Sequence, residues 1–172
     1  LLPQMNLSKS RRNFLLALSG FAGFVYLQIL SGKSKQLYTA ASDIETLELS
    51  DKEWQQKLSN NAYYVLRKGK TEVRQSSPLN KEWRVGSYLC QGCDLDLFSA
   101  DMKYESHTGW PSFKDHILGH LVTYTDLSAI PPQRGYKCAR CSGHHGHLFM
   151  DGPLPKGERW CNNGSALRFV AS

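Results

Sequence analysis

Five cysteines and a cluster of histidines carry most of the chemistry this sequence can offer. Cys90-Gln91-Gly92-Cys93 and Cys138-Ala139-Arg140-Cys141 form two C-x-x-C knuckles. Two intervening residues let both sulfurs of a knuckle face one metal. Two knuckles complete the tetrahedral four-sulfur set that zinc favours. A site filled by four sulfurs has no open position, so it is structural rather than catalytic. It would tie the strand near 89 to the strand near 137 and add folding free energy. Disulfides in an oxidising compartment and redox-active dithiols are the competing readings. The pairing of two knuckles favours the metal.

That assignment leaves Cys161 alone. A lone cysteine is commonly a small buried hydrophobe, but this one has polar company. Arg159 lies two residues before it, and Asn162, Asn163, Gly164 and Ser165 follow. His144-His145-Gly146-His147 could add positive charge nearby. Cationic neighbours lower a thiol pKa and raise its thiolate fraction, which suits a nucleophile. The histidines have plainer readings as a structural turn beside the second knuckle or as surface residues.

The elements that must position these groups fall in two parts. Residues 1–41 read as a leader and 42–172 as one domain. Met5 reads as the translation start. Ser10-Arg11-Arg12-Asn13-Phe14 precedes apolar sequence through Leu30, which resembles a twin-arginine export signal. Thr39-Ala40-Ala41 offers small residues for a cut; an uncleaved membrane anchor is the alternative. Export would place the protein in the periplasm or otherwise outside the bacterial cytoplasm. The formal charge of +6 is concentrated in the leader, where Lys9, Arg11, Arg12, Lys33 and Lys35 stand without an acid. The rest is close to neutral, which argues against a nucleic-acid surface.

Residues 42–72 read as helical, with Ser50-Asp51-Lys52-Glu53 as a capping box. Trp54, Leu58, Tyr63 and Leu66 form the buried stripe, and Gly69 is the stop. A polar loop with Pro78 follows. Strands are expected at Val85–Leu89, Leu121–Tyr124, Leu148–Met150, Arg159–Cys161 and Leu167–Val170. The fold class is mainly β, with a short helical N-terminal segment.

Several segments together resemble the B-type methionine sulfoxide reductases. They are Tyr63-Tyr64-Val65-Leu66-Arg67, the two knuckles, Thr108-Gly109-Trp110-Pro111-Ser112-Phe113, His144 through Phe149 with Asp151-Gly152-Pro153, and Arg159-Trp160-Cys161-Asn162-Asn163 with Leu167-Arg168-Phe169. The resemblance implies two small antiparallel sheets, one structural zinc on Cys90, Cys93, Cys138 and Cys141, and a shallow site on one face. It implies Cys161 as nucleophile, His144 and His147 as the histidine pair, Asn163 as a further polar site residue, and Trp110 and Phe113 as the apolar wall for the substrate methyl. The implied reaction reduces peptide-bound methionine-R-sulfoxide by thiolate attack on sulfur, leaving a cysteine sulfenic acid. Of the two histidines, His147 is the expected proton donor, with His144 beside it.

Departures from the family pattern bear on that reading. Many members carry a second free cysteine just before Gly-Trp-Pro-Ser-Phe; this chain has His107-Thr108 there. An external thiol, from a thioredoxin-like or other reductant, is then expected to restore Cys161. Trp160 stands for a tyrosine or phenylalanine, Asn162 for an apolar residue and Gly164 for serine. The stretch 125–135 lacks the usual Ser-His-Gly and following Arg-x-Glu, which could alter substrate preference or activity. Two rival readings are a non-catalytic zinc-ribbon binding module and a C-x-x-C thiol–disulfide oxidoreductase.

Overall fold

A computed structural model describes residues 38–172. The expected leader therefore lies outside the described residues, apart from its last four. No helix among the described residues is long and apolar enough to cross a membrane.

Two helices open the domain where one longer helical stretch was expected. Helix α1 spans Asp51–Lys57 and α2 spans Asn60–Lys68. The capping box is formed as read: Ser50 Oγ accepts from the Glu53 N–H at 3.4 Å, and Glu53 Oε2 accepts from the Ser50 N–H at 2.7 Å. Ser59 then caps a second start through the Ala62 N–H, so the chain breaks at Leu58–Ser59 rather than continuing. Two serines each able to satisfy free helix N–H groups produce two short helices. Gly69 adopts φ 64° and ends α2 in the left-handed conformation that glycine tolerates. Residues 42–50 are not helical. Trp54, Leu58, Tyr63 and Leu66 are all buried.

Nine strands follow, all paired antiparallel. They are β1 (Gly86–Cys90), β2 (Asp96–Ser99), β3 (Lys103–Tyr104), β4 (Ser112–Phe113), β5 (Leu121–Asp126), β6 (Gln133–Cys138), β7 (His144–Phe149), β8 (Arg159–Asn162) and β9 (Leu167–Ala171). One sheet has the order β2-β1-β9, the other β3-β4-β8-β7-β6-β5. An aromatic seam joins the sheets: Phe113 of β4 stacks on Phe98 of β2 at 4.0 Å and meets Tyr88 of β1 at 5.0 Å. Such contacts add to the apolar area they remove from water.

The helices cover the knuckles. The Arg67 guanidinium lies 4.7 Å over the Trp54 ring, and its Nη1 donates to the Cys141 carbonyl at 2.7 Å. This holds α2 to the second knuckle.

Residues 38–41, assigned by sequence to the leader, pack as part of the domain. Tyr38 and Thr123 exchange hydrogen bonds on the outer edge of β5, and Ala41 N donates to the Gly119 carbonyl at 2.9 Å. The Tyr38 ring meets Trp160 at 5.1 Å, and its hydroxyl donates to Glu158 Oε1 at 2.6 Å. Glu158 is buried, and its other oxygen accepts from Trp160 Nε1. A cut at Ala41 would strip a core aromatic and leave that carboxylate short of a partner. We expect a chain starting at residue 42 to be less stable to urea than one starting at residue 37, by about 2–4 kcal/mol. Equal stabilities would show that Tyr38 contributes nothing.

Candidate active site and cysteine cluster

Strand β8 lies between β4 and β7, and its register builds the site. Cys161 is opposite Ser112 on one side and His147 on the other. Directly paired residues of antiparallel strands point to the same face. Ser112, Cys161 and His147 therefore stand in one row. Arg159 and Phe149, two residues along each strand, share that face. Gly146 permits this pairing, since a Cβ there would fall 2.0 Å from the Cys161 carbonyl oxygen.

A bulge brings the second histidine to the same face. Gly135 pairs with His147, but Lys137 pairs with His144, so β7 carries one extra residue between them. The two imidazoles, three residues apart, meet at 5.3 Å. Tyr124 reaches His144 across Gly135, sharing a 2.8 Å hydrogen bond between its hydroxyl and Nδ1. A Cβ on Gly135 would press to 2.5 Å on the Tyr124 ring.

The histidines are in unlike surroundings. His144 is buried, and loss of hydration pushes its pKa down to about 4; the nearby His147 adds to the depression. His147 is half-buried, and its Nε2–H donates to Asp126 Oδ2 at 2.7 Å. The Asp126 carboxyl is held down to about 2, first by hydrogen bonds from Ser128 and also by His147. It stays ionised and fixes the His147 ring. Asp126 lies within the stretch 125–135 whose family pattern is altered, and the expected site did not include it.

Cys161 is half-buried, and its thiol is the clearest difference from expectation. Burial pushes its pKa up, and this outweighs the opposing pull of Arg159 and of Thr108. The neighbours do favour the anion, as the sequence suggested, but the resting side chain is a thiol. Arg159 is itself fixed by a two-pronged pair with Asp151, at 2.8 and 2.9 Å, and lies 4.3 Å over the Phe149 ring.

Two expected site residues are placed otherwise. Phe113 pairs with Trp160 on the opposite face of β8 and is fully buried in the seam between sheets. It is a core residue and cannot line a wall beside Cys161. Asn163 is buried with its amide committed: Oδ1 accepts from Glu72 N, and Nδ2 donates to the His145 carbonyl, both at 2.9 Å. It braces the site. Trp110 is half-buried, two residues before Ser112, and its Nε1 donates to the Glu72 carbonyl at 3.3 Å. Glu72 thus holds Trp110 and Asn163 by its backbone and takes Gly164 N and Ser165 N on its carboxylate, each at 2.7 Å. Nothing in the spacing of residues 69–73 announces that role.

Two of the departures near Cys161 are fitted to their surroundings. The buried Asn162 accepts from the Tyr136 hydroxyl at 2.9 Å and donates to the Asn163 carbonyl at 2.7 Å. Tyr136 belongs to β6, just beyond the altered stretch. Gly164 abuts Ser77, where a Cβ would fall 1.9 Å from Oγ.

The four remaining cysteines converge. Their sulfurs lie within 4.8 Å of one another, with Cys90 and Cys141 at 3.6 Å and Cys93 and Cys138 at 3.5 Å. None is in a disulfide, the distances being far beyond an S–S bond of about 2.05 Å. Tetrahedral coordination at a zinc–sulfur distance of about 2.3 Å sets sulfurs roughly 3.8 Å apart. The donor set and spacing therefore fit a metal. His145 donates from Nε2 to Cys90 Sγ at 3.3 Å, the outer contact that steadies a thiolate ligand.

A profile of the SelR domain matches residues 58–171. The chain is 40% identical over 121 residues to the peptide methionine sulfoxide reductase MsrB of Leptospira interrogans, spanning 70% of this chain and 92% of that protein. It is 41% identical over 126 residues to MsrB of Methanosarcina barkeri, spanning 73% and 89%. It is 40% identical to the mitochondrial methionine-R-sulfoxide reductase B2 of Rattus norvegicus, over 73% of this chain and 77% of that protein.

The buried neutral His144 has a measurable consequence. Its ordinary pKa is near 6.5, so between pH 6.5 and 4 the unfolded chain takes up a proton that the fold refuses. The folded state loses stability across that window as pH falls, and no such loss occurs above it. We expect His144→Gln to reduce the drop in unfolding free energy between pH 7 and pH 5 by about 1–2 kcal/mol, measured with urea at saturating metal. An unchanged drop would contradict the buried neutral ring.

Proposed function

This chain belongs to the SelR-domain family of B-type methionine sulfoxide reductases, and we propose that it reduces methionine-R-sulfoxide in proteins with Cys161 as the nucleophile. The observation that carries the assignment of roles is the row Ser112–Cys161–His147, with Arg159 on the same face. No other thiol of this chain is both outside the metal cluster and beside an imidazole.

The sulfur of Cys161 attacks the sulfoxide sulfur while the sulfoxide oxygen is protonated, which makes the sulfur electrophilic. His147, aligned by Asp126, delivers that proton. His144 is neutral in the free protein and serves to orient rather than to donate. Arg159 and Thr108 offset the burial that keeps the resting thiol protonated. In net, two electrons pass from the cysteine sulfur to the methionine sulfur, and Cys161–SH with the sulfoxide gives Cys161–SOH and the thioether. The indole of Trp110 packs the substrate methyl and so reads the configuration at sulfur.

The four metal-site cysteines are unsuited to regenerate Cys161. One external thiol attacks the sulfenic acid, releasing water and forming a mixed disulfide. A second thiol then frees Cys161 and leaves as the oxidised reductant. The metal is zinc, held by Cys90, Cys93, Cys138 and Cys141; a closed four-sulfur site supplies folding free energy and no chemistry at substrate. The leader is read as a twin-arginine export signal, which directs the domain out of the bacterial cytoplasm already folded and metal-loaded. Support for that reading is the Ser10–Phe14 sequence alone.

Separated R and S methionine sulfoxides with dithiothreitol test the reading. The R epimer should be consumed and the S epimer spared, Cys161→Ser should abolish turnover, and His147→Gln should lower kcat by roughly 10²–10⁴-fold. Equal consumption of both epimers, or an active serine variant, would defeat the assignment. Elemental analysis should find one zinc per chain, and Cys161 alone should react with a thiol reagent before chelation. Five reactive thiols without bound metal would favour a C-x-x-C oxidoreductase instead.

A further inference from the structure

The indole of Trp110 is carried by a loop rather than by a strand. Residues 105–111 run between β3 and β4, and two of them, His107 at φ 58° and Gly109 at φ 92°, are left-handed. A histidine held in that region is strained, so neighbours must hold the chain there. They come from one segment, residues 72–80. The Gln75 N–H donates to the Gly109 carbonyl at 2.8 Å, and Asn80 Nδ2 donates to the same oxygen at 3.1 Å. Arg74 Nε donates to the Thr108 carbonyl at 2.8 Å, and its Nη2 donates to the His107 carbonyl at 3.2 Å. All three carbonyls before Trp110 thus receive donors from this segment. The Glu72 carbonyl completes the set by accepting from the indole Nε1 at 3.3 Å.

Arg74 has the largest hold on this loop of any side chain in the segment. One planar guanidinium spans two consecutive carbonyls and so fixes the orientation of both peptide planes. Its stem lies against Gly109, where a Cβ would fall 2.5 Å from Cγ. Glycine is needed there for its φ and for this close approach. The hydrogen bond from Nε1 to Glu72 anchors one ring atom of the indole. The guanidinium anchors the main chain from which the indole springs.

We propose that Arg74 is a positioning residue that determines specificity: it holds residues 107–109 and, through them, the angle at which Trp110 meets the substrate methyl. Inverting the configuration at sulfur exchanges where methyl and oxygen point, so discrimination requires a wall that does not give way. Loosening the loop weakens the hold on the R epimer and narrows the preference over S. Cys161 and His147 stand on β8 and β7, outside this loop, and keep their places.

The inference rests on Trp110 as the wall for the methyl, and a double-mutant cycle separates the two. Arg74→Met keeps the stem and removes both donors. Zinc-loaded protein would be assayed with separated R and S methionine sulfoxides and dithiothreitol. Arg74→Met should raise KM for the R epimer roughly five- to tenfold with kcat within about twofold of wild type, and the R-to-S ratio of kcat/KM should fall. Arg74→Lys, which reaches only one of the two carbonyls, should raise KM about two- to threefold. Trp110→Leu should raise KM at least as much as Arg74→Met. Adding Arg74→Met to Trp110→Leu should then change nothing further, because a residue acting through the indole has no effect once the indole is gone. A folded Arg74→Met with unchanged KM and R preference would overturn the inference, and the wall would stand if Trp110→Leu still raised KM. Fully additive losses in the double variant would also overturn it. Trp110→Leu with wild-type KM and epimer preference would sink the reading of the wall and this inference with it. If Arg74→Met does not fold, Arg74→Lys decides by the same cycle: a raised KM that vanishes beside Trp110→Leu supports the inference, and an unchanged KM refutes it.

Discussion

The placement of β8 between β4 and β7 is the constraint on which the site depends. In a sheet, a slip of one residue turns every side chain to the opposite face. At the observed register Cys161, His147, Ser112 and Arg159 share one face, while Trp160 and Phe113 enter the core on the other. A one-residue slip would bury Cys161 and expose an indole. The hydrophobic core therefore selects the shared facing of Cys161 and His147 as it forms.

Three devices hold that register. The seam of Tyr88, Phe98 and Phe113 fixes β4 from the smaller sheet. Glu72 fastens the chain after Cys161 and the indole of Trp110 to the segment following α2. The cysteine cluster joins the ends of β1 and β6, and His145 links it to β7 by its contact with Cys90. The histidine tract thus serves two neighbourhoods: His145 faces the cluster, while the bulge turns His144 and His147 toward Cys161. The cysteine cluster and the row beside Cys161 thus meet on a single strand.

Much of this was legible in the sequence because local chemistry declares itself. The Ser50–Glu53 box, the Gly69 stop and the two knuckles each depend on a few neighbouring residues, and all are found as read. Long-range relations were less visible. Strand β4 has two residues, too few for any periodicity, so the register that fixes Phe113 in the core could not be inferred. Ser59 capped a second helix because an N-cap outcompeted continuation. Tyr38 looked like leader, since its burial comes from β5 and Glu158, far along the chain. Asp126 and Glu72 gave no local signal; their contacts to the site run to His147, 21 residues away, and to Asn163, 91 residues away. The thiol's raised pKa follows from burial, which counting nearby cations does not reveal.

The central claim is that oxygen leaves the substrate through the sulfur of Cys161. Single-turnover mixing of zinc-loaded protein with R-methionine sulfoxide, without reductant, followed by a sulfenic-acid trap and peptide mapping, tests it directly. The account predicts one methionine released per chain and a trapped sulfenic acid at Cys161 alone, with Cys90, Cys93, Cys138 and Cys141 unmodified. Methionine formed with no adduct at Cys161, or with oxidation falling on the knuckle cysteines, would contradict it.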